Sequence, residues 1–185
     1  MYKAFLALTT CFVCVLAPAR SRAFDLDLVS VGIRARVSSD DVLGKEQPEA
    51  FYEYDVWAAI RLPWERYRPS GWGVGTRLLT SAGYLEGAGS GALVVSVLPV
   101  VALGTRDGRF NVDLGAGLAV LSQSNFADQD FGGPVQGALT FGVDIPLYKQ
   151  FGMGYRYMHY SDWGVYGPDT IGADLHMVEL FYRFR

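Results

Sequence analysis

The sequence contains two histidines, His159 and His176. His159 sits two residues before a serine, in Tyr155-Arg156-Tyr157-Met158-His159-Tyr160-Ser161. Residues two apart on a strand share a face, so the imidazole and the hydroxyl would lie side by side. Phe151, Met153, Tyr155 and Tyr157 continue that same face. A polar pair on an apolar stripe costs free energy unless its members find partners. One arrangement supplies them: a hydroxyl on an imidazole, and the imidazole on a carboxylate, acting as nucleophile, general base and orienting acid. If the segment from Asp162 to Ala173 joins two strands as a hairpin, the residues just after it lie across the ladder from those just before it. Asp174 falls there, with the parity of His176, Val178 and Leu180. The spacing thus predicts His159, Ser161 and Asp174 on one patch. A His, Tyr and Ser cluster at a strand end also marks an interface with lipid headgroups, and His-x-Ser is a short motif, so both readings stand at this point.

The elements that must position these residues show period-two alternation. Eight runs carry it. Leu26 and Leu28 alternate with acids, the parity slips, and Val31, Ile33, Ala35 and Val37 follow. The next runs are 52–62, 72–84, 92–104 (apolar on both parities), 110–120, 135–145, 151–157 and 178–184. Each is about as long as a tilted membrane-spanning strand, roughly 9–11 residues. Turn-like stretches separate them at 38–49, 65–70, 86–91, 104–108, 123–133 and 162–173. The fold class is therefore all-β, an eight-stranded antiparallel up-and-down barrel, closed so that no edge is left unpaired.

Alternation does not say which face is apolar, and a soluble lipocalin-like barrel has the same period. Three features favour a transmembrane barrel. The polar parity holds glycines and mixed charges, which suits a narrow self-pairing lumen. Aromatics sit near strand ends, as interfacial girdles do. The last strand carries Tyr182 and Phe184 at alternate positions, like the terminal signal of outer-membrane barrels. Arg34, Arg61, Arg77, Glu53, Asp55, Asp113 and Asp144 are the candidates for pairing in a filled lumen, which argues against a channel.

The first residues read as a secretory signal rather than fold. Met1-Tyr2-Lys3 is basic, residues 4–17 are apolar, and Ser21-Arg22-Ala23 offers a cleavage site, with Ala17-Pro18-Ala19 as a second. Residues 1–23 would be removed and 24–185 would form the barrel domain. Cys11 and Cys14 fall in the signal, so the mature chain would hold no disulfide or thiolate metal site. Lys3, Arg20 and Arg22 go with it, which leaves 13 of the 16 basic residues against 19 acids. That balance gives no reason to expect a nucleic-acid partner. No cofactor and no metal-ligand cluster is expected.

From about Gly115 onward the sequence resembles the PagL family of lipid A 3-O-deacylases. The resemblance rests on Gly115-Ala116-Gly117-Leu118-Ala119-Val120-Leu121, on Phe141-Gly142, on Gly152 to Ser161, and on Leu180-Phe181-Tyr182-Arg183-Phe184. It implies an eight-stranded barrel with its active site on the outer wall, in the bacterial outer membrane. A His-x-Ser-Asn motif supplies base and nucleophile, which places His159 and Ser161 in those roles. The family's orienting Glu falls on Asp174 once one extra loop residue is allowed. The Asn is Asp162 here, followed by Trp163, and Pro168-Asp169 resembles the loop whose amides complete the oxyanion hole. The implied substrate is lipopolysaccharide, with a homodimer left open. The alternative is a barrel that has kept the fold without catalysis, in a structural or surface-interaction role.

Overall fold

Period-two segments long enough to pair, joined by short turns, fold into a meander in which each strand lies beside its chain neighbours. In the computed structural model, residues 27–38, 41–42, 45–167 and 170–184 are described. Eight strands form the wall: β1 (Leu28–Ser38), β2 (Phe51–Tyr67), β3 (Trp72–Gly87), β4 (Ser90–Thr105), β5 (Asn111–Leu121), β6 (Val135–Tyr148), β7 (Phe151–Ser161) and β8 (Ala173–Arg183). All pairings between them are antiparallel, and β1 closes on β8 through the register Ser30↔Arg183 to Ser38↔Leu175. The eight-stranded closed barrel is as expected. Two-residue ladders at Asp41–Val42 with Lys45–Glu46, and at Asn125–Phe126 with Gln129–Asp130, stiffen two of the loops. The proposed signal and Leu26 lie outside the described residues.

The parity slip in the first run is a bulge, where the β1–β2 register shifts between Leu28 and Ser30. One added residue turns every later side chain to the other face.

The wall is apolar outside and charged inside, the reverse of a lipocalin. Leu93, Leu103, Leu114, Leu118 and Val178 face outward and are half exposed or more. Arg34, Arg36, Glu53, Asp55, Asp113, Arg156 and Glu179 are buried in the lumen. They pair there: Arg34 and Arg36 with Asp55 at 2.8 and 2.5 Å, Arg36 with Glu53 at 2.8 Å, and Arg156 with Asp113 at 2.5 Å. The loop-end part of the interior is apolar instead, with Phe51, Phe126 and Phe131 edge to face at 5.1–5.8 Å between centroids. The two parities of β4 separate cleanly: Ala92, Val94, Leu98 and Val100 line the lumen, while Leu93, Val95, Val97 and Val101 face out.

Three expectations need correction. Arg61 is not a lumen residue; it sits at the rim beside the start of β1, paired with Asp27 at 2.7 Å and Glu65 at 3.0 Å. The strands are not uniform: four have 11 residues, but β6 has 14, β3 and β4 have 16, and β2 has 17. The stretch 86–91 is not loop throughout, because Gly87 pairs with Ser90 and only Ala88-Gly89 turns, at φ 51° and 72°. Two positive φ values fit the type I′ turn that matches strand twist.

Candidate active site on the outer wall

The site forms where β7 ends and its hairpin with β8 begins. His159 pairs with Asp174 across the β7–β8 ladder. On the other side, His159 faces Leu139 and Ser161 faces Gly137 of β6. His159 and Ser161 carry the outward parity of β7, which also includes the exposed Phe151 and Tyr155. Asp174 has the outward parity of His176, Val178 and Leu180. All three expected residues thus lie on the outer wall near the loop rim, with His159 and Asp174 in direct contact.

His159 Nδ1 lies 2.6 Å from Asp174 Oδ1, with both side chains only 7% exposed. A proton held on Nδ1 by the carboxylate leaves the Nε2 lone pair as the base. The Ser161 hydroxyl makes a different contact: its Oγ accepts a hydrogen bond from Trp163 N at 3.1 Å. Among the described residues no hydrogen bond joins it to His159. Hydrogen bonds of this kind are commonly long without substrate and tighten when it binds.

Asp162 does not turn toward the nucleophile. Its Oδ1 accepts from Gly164 N and its Oδ2 from Tyr166 N, each at 2.9 Å, and its carbonyl accepts from Val165 N at 3.0 Å. Residues 162–165 thus form a type I′ turn, with Trp163 at φ 54° and Gly164 at φ 78°. Left-handed backbone costs a residue with a side chain roughly 1–2 kcal/mol. Burial works to raise the Asp162 pKa, but the amides of Gly164 and Tyr166, with the Thr170 hydroxyl, hold it below the usual carboxylate range. The charge expected beside the nucleophile is taken up by the loop.

The loop after β7 is held by the loop before β6. Gln129 Nε2 donates to Gly172 O at 2.6 Å, and Ile171 N to Asp130 O at 3.0 Å. Tyr166 packs over Gly132 and Gly133, where any Cβ would strike its side chain. Sequence reasoning missed this support and missed Gly137, over which the Trp163 indole lies. Counting the β6–β7 hairpin register back from Ser161 would have found Gly137. His176, given no role from sequence, takes a hydrogen bond with Tyr155 Oη at 2.6 Å through Nδ1, on the same outer wall. Pro168-Asp169, the segment likened to an oxyanion loop, lies outside the described residues. A cavity of about 600 Å³ opens at the other rim, among Arg61, Arg106, Arg109 and Arg183, far along the wall from Ser161.

Comparison with known proteins gives the fold and the family. A crystal structure of the outer membrane enzyme PagL superposes with a TM-score of 0.60 over 83% of this chain and 99% of that one, at 19% identity, which shows a shared fold. The lipid A deacylase PagL of Bordetella bronchiseptica (strain ATCC BAA-588 / NCTC 13252 / RB50) is 32% identical over 76 residues, 41% of this chain. The chain spans 42% of the length of that relative. The family described as Lipid A 3-O-deacylase (PagL) matches residues 49–183, well upstream of Gly115 where the sequence resemblance begins. That match takes in seven of the eight strands and both sides of the His159–Asp174 ladder, and the chain belongs to the PagL family.

Proposed function

We propose that this barrel is an outer-membrane serine esterase that removes the acyl chain esterified at the 3-position of lipid A. The observation that carries the proposal is the buried His159–Asp174 pair on the lipid-type face, two residues from Ser161. A buried, acid-tethered imidazole on an apolar outer wall has no packing explanation, and ionisable groups at such places are functional by default.

The reaction follows from the roles. His159 Nε2 takes the Ser161 proton as Oγ adds to the ester carbonyl, and Asp174 stabilises the imidazolium that results. Collapse of the tetrahedral adduct breaks the bond to the sugar oxygen, which receives the proton from His159. Water, deprotonated by the same imidazole, then frees the fatty acid and restores Ser161. A site on the outer wall reaches an ester at the base of the lipid without withdrawing the lipid from the bilayer. On this reading the barrel sits in the outer membrane after removal of residues 1–23; its apolar outer belt and its family support that location.

Mass spectrometry of lipid A from cells expressing the chain is the test. Loss of one hydroxyacyl chain is expected, and Ser161→Ala should abolish that loss while the barrel still folds. Unchanged lipid A with correct membrane insertion would favour a barrel without catalysis.

A further inference from the structure

We propose that Trp163 sets the acyl-chain preference of the site, its indole forming the wall along which the substrate's acyl chain leaves Ser161. The inference rests on the deacylase reading and names the part of the substrate this residue would recognise.

Four observations converge. Trp163 holds a left-handed backbone, φ 54°, where glycine or asparagine would be unstrained. Its amide is hydrogen-bonded to Ser161 Oγ, so the residue and the nucleophile are fixed relative to each other. Its indole covers Gly137, the residue directly across the ladder from Ser161, and a Cβ at Gly137 would run into the ring. Trp163 as a residue is nevertheless 59% exposed, so it presents apolar surface beside the nucleophile. Strain kept at a bulky residue next to a reactive group points to a use for the side chain.

The surface continues along the wall. Leu139 and Phe141 follow Gly137 on the outward parity of β6 and are 43% and 40% exposed. Tyr157 flanks Phe141 on β7. An acyl chain bonded to Ser161 and running toward the membrane interior would lie in this lane, with the indole at its head. Each methylene laid against such a surface adds a modest increment, so the effect grows with chain length.

An interfacial anchor is the competing role for an exposed tryptophan. An anchor acts on insertion and would not separate one ester from another. The test uses the full chain in detergent micelles, with p-nitrophenyl butyrate and p-nitrophenyl dodecanoate. Trp163→Gly removes the ring and relieves the left-handed strain, so the variant should fold; Trp163→Phe keeps a ring. In Trp163→Gly the dodecanoate-to-butyrate ratio of kcat/KM should fall about tenfold. In Trp163→Phe it should stay within about threefold of the parent ratio. An unchanged ratio in Trp163→Gly, including an equal fall on both esters, would overturn the inference and leave the deacylase reading standing. A parent chain inert on both esters and on lipid A would overturn both.

Discussion

At the scale of single residues, the site divides its two acids between different tasks. On the proposed mechanism Asp174 orients the base, whereas Asp162 orders the turn that carries Trp163. Asp174→Asn keeps the shape but favours the wrong imidazole tautomer, so kcat should fall by roughly 10⁴-fold. Asp174→Glu, which restores the charge, should recover much of it in the same ester assay. Asp162 should announce itself through pH instead. Its carboxylate is held below its ordinary value of 3.8. A depressed carboxylate contributes stability that is complete above the unfolded value and is lost as pH falls through the folded one. Nicking of the 162–172 loop by an acid-active protease should therefore stay flat down to about pH 4 and rise below it. Asp162→Ala should be nicked across the whole range. The sequence placed a negative charge next to Ser161 and left its direction open. Direction depends on the type I′ turn, and Trp163 hides that turn because a bulky aromatic is not the residue such a turn calls for.

At the scale of elements, alternation revealed most strands because they separate an apolar exterior from a polar or charged interior over their middle; β4, apolar on both faces, stood out by its unbroken apolar run. It lost their ends for the same reason in reverse. Beyond the belt the outer face turns polar, and at the loop end the interior is apolar instead of charged, so the pattern is lost and Glu86 or Glu65 reads as loop although both are paired. The pairing of His159 with Asp174 was legible because a hairpin fixes register by counting. The packing of Tyr166 over Gly132 and Gly133 was not, since it joins loops that no ladder connects. The β3–β4 turn gives a stability test of this level. Ala88 holds φ 51° in a type I′ turn, at a cost that glycine avoids. Ala88→Gly should stabilise the folded barrel by about 1 kcal/mol, less the added freedom of the unfolded chain. The urea midpoint in detergent micelles reports it, and a lower midpoint would mean that the neighbouring chain relieves the strain at Ala88.

At the scale of the whole molecule, the barrel is held from inside by ions where a soluble protein would use an apolar core. Arg156 shows what that implies. Its guanidinium is buried, bonds both oxygens of Asp113 at 2.5 and 2.9 Å, and lies 3.4 Å from Glu179. From β7 it therefore reaches β5 across β6 on one side and the neighbouring β8 on the other. Glu179 in turn lies 3.9 Å from Arg34 of β1, which is bonded to Asp55 of β2. The network crosses the β1–β8 seam, so closure of the cylinder and charge balance in the lumen are one condition. Removing a single partner from a buried ion pair leaves an uncompensated charge and typically costs 3–5 kcal/mol, whereas replacing the pair by apolar groups is close to neutral. Arg156→Met should lower the urea midpoint by that order, and Asp113→Leu added to it should recover most of the loss. The pattern across the two variants decides between two interiors. A dry, ion-paired lumen gives the large single effect and the recovery. A lumen whose charges are hydrated gives a small effect in both, because water would replace each lost partner, and closure would then rest on the backbone ladder and the outer apolar belt alone.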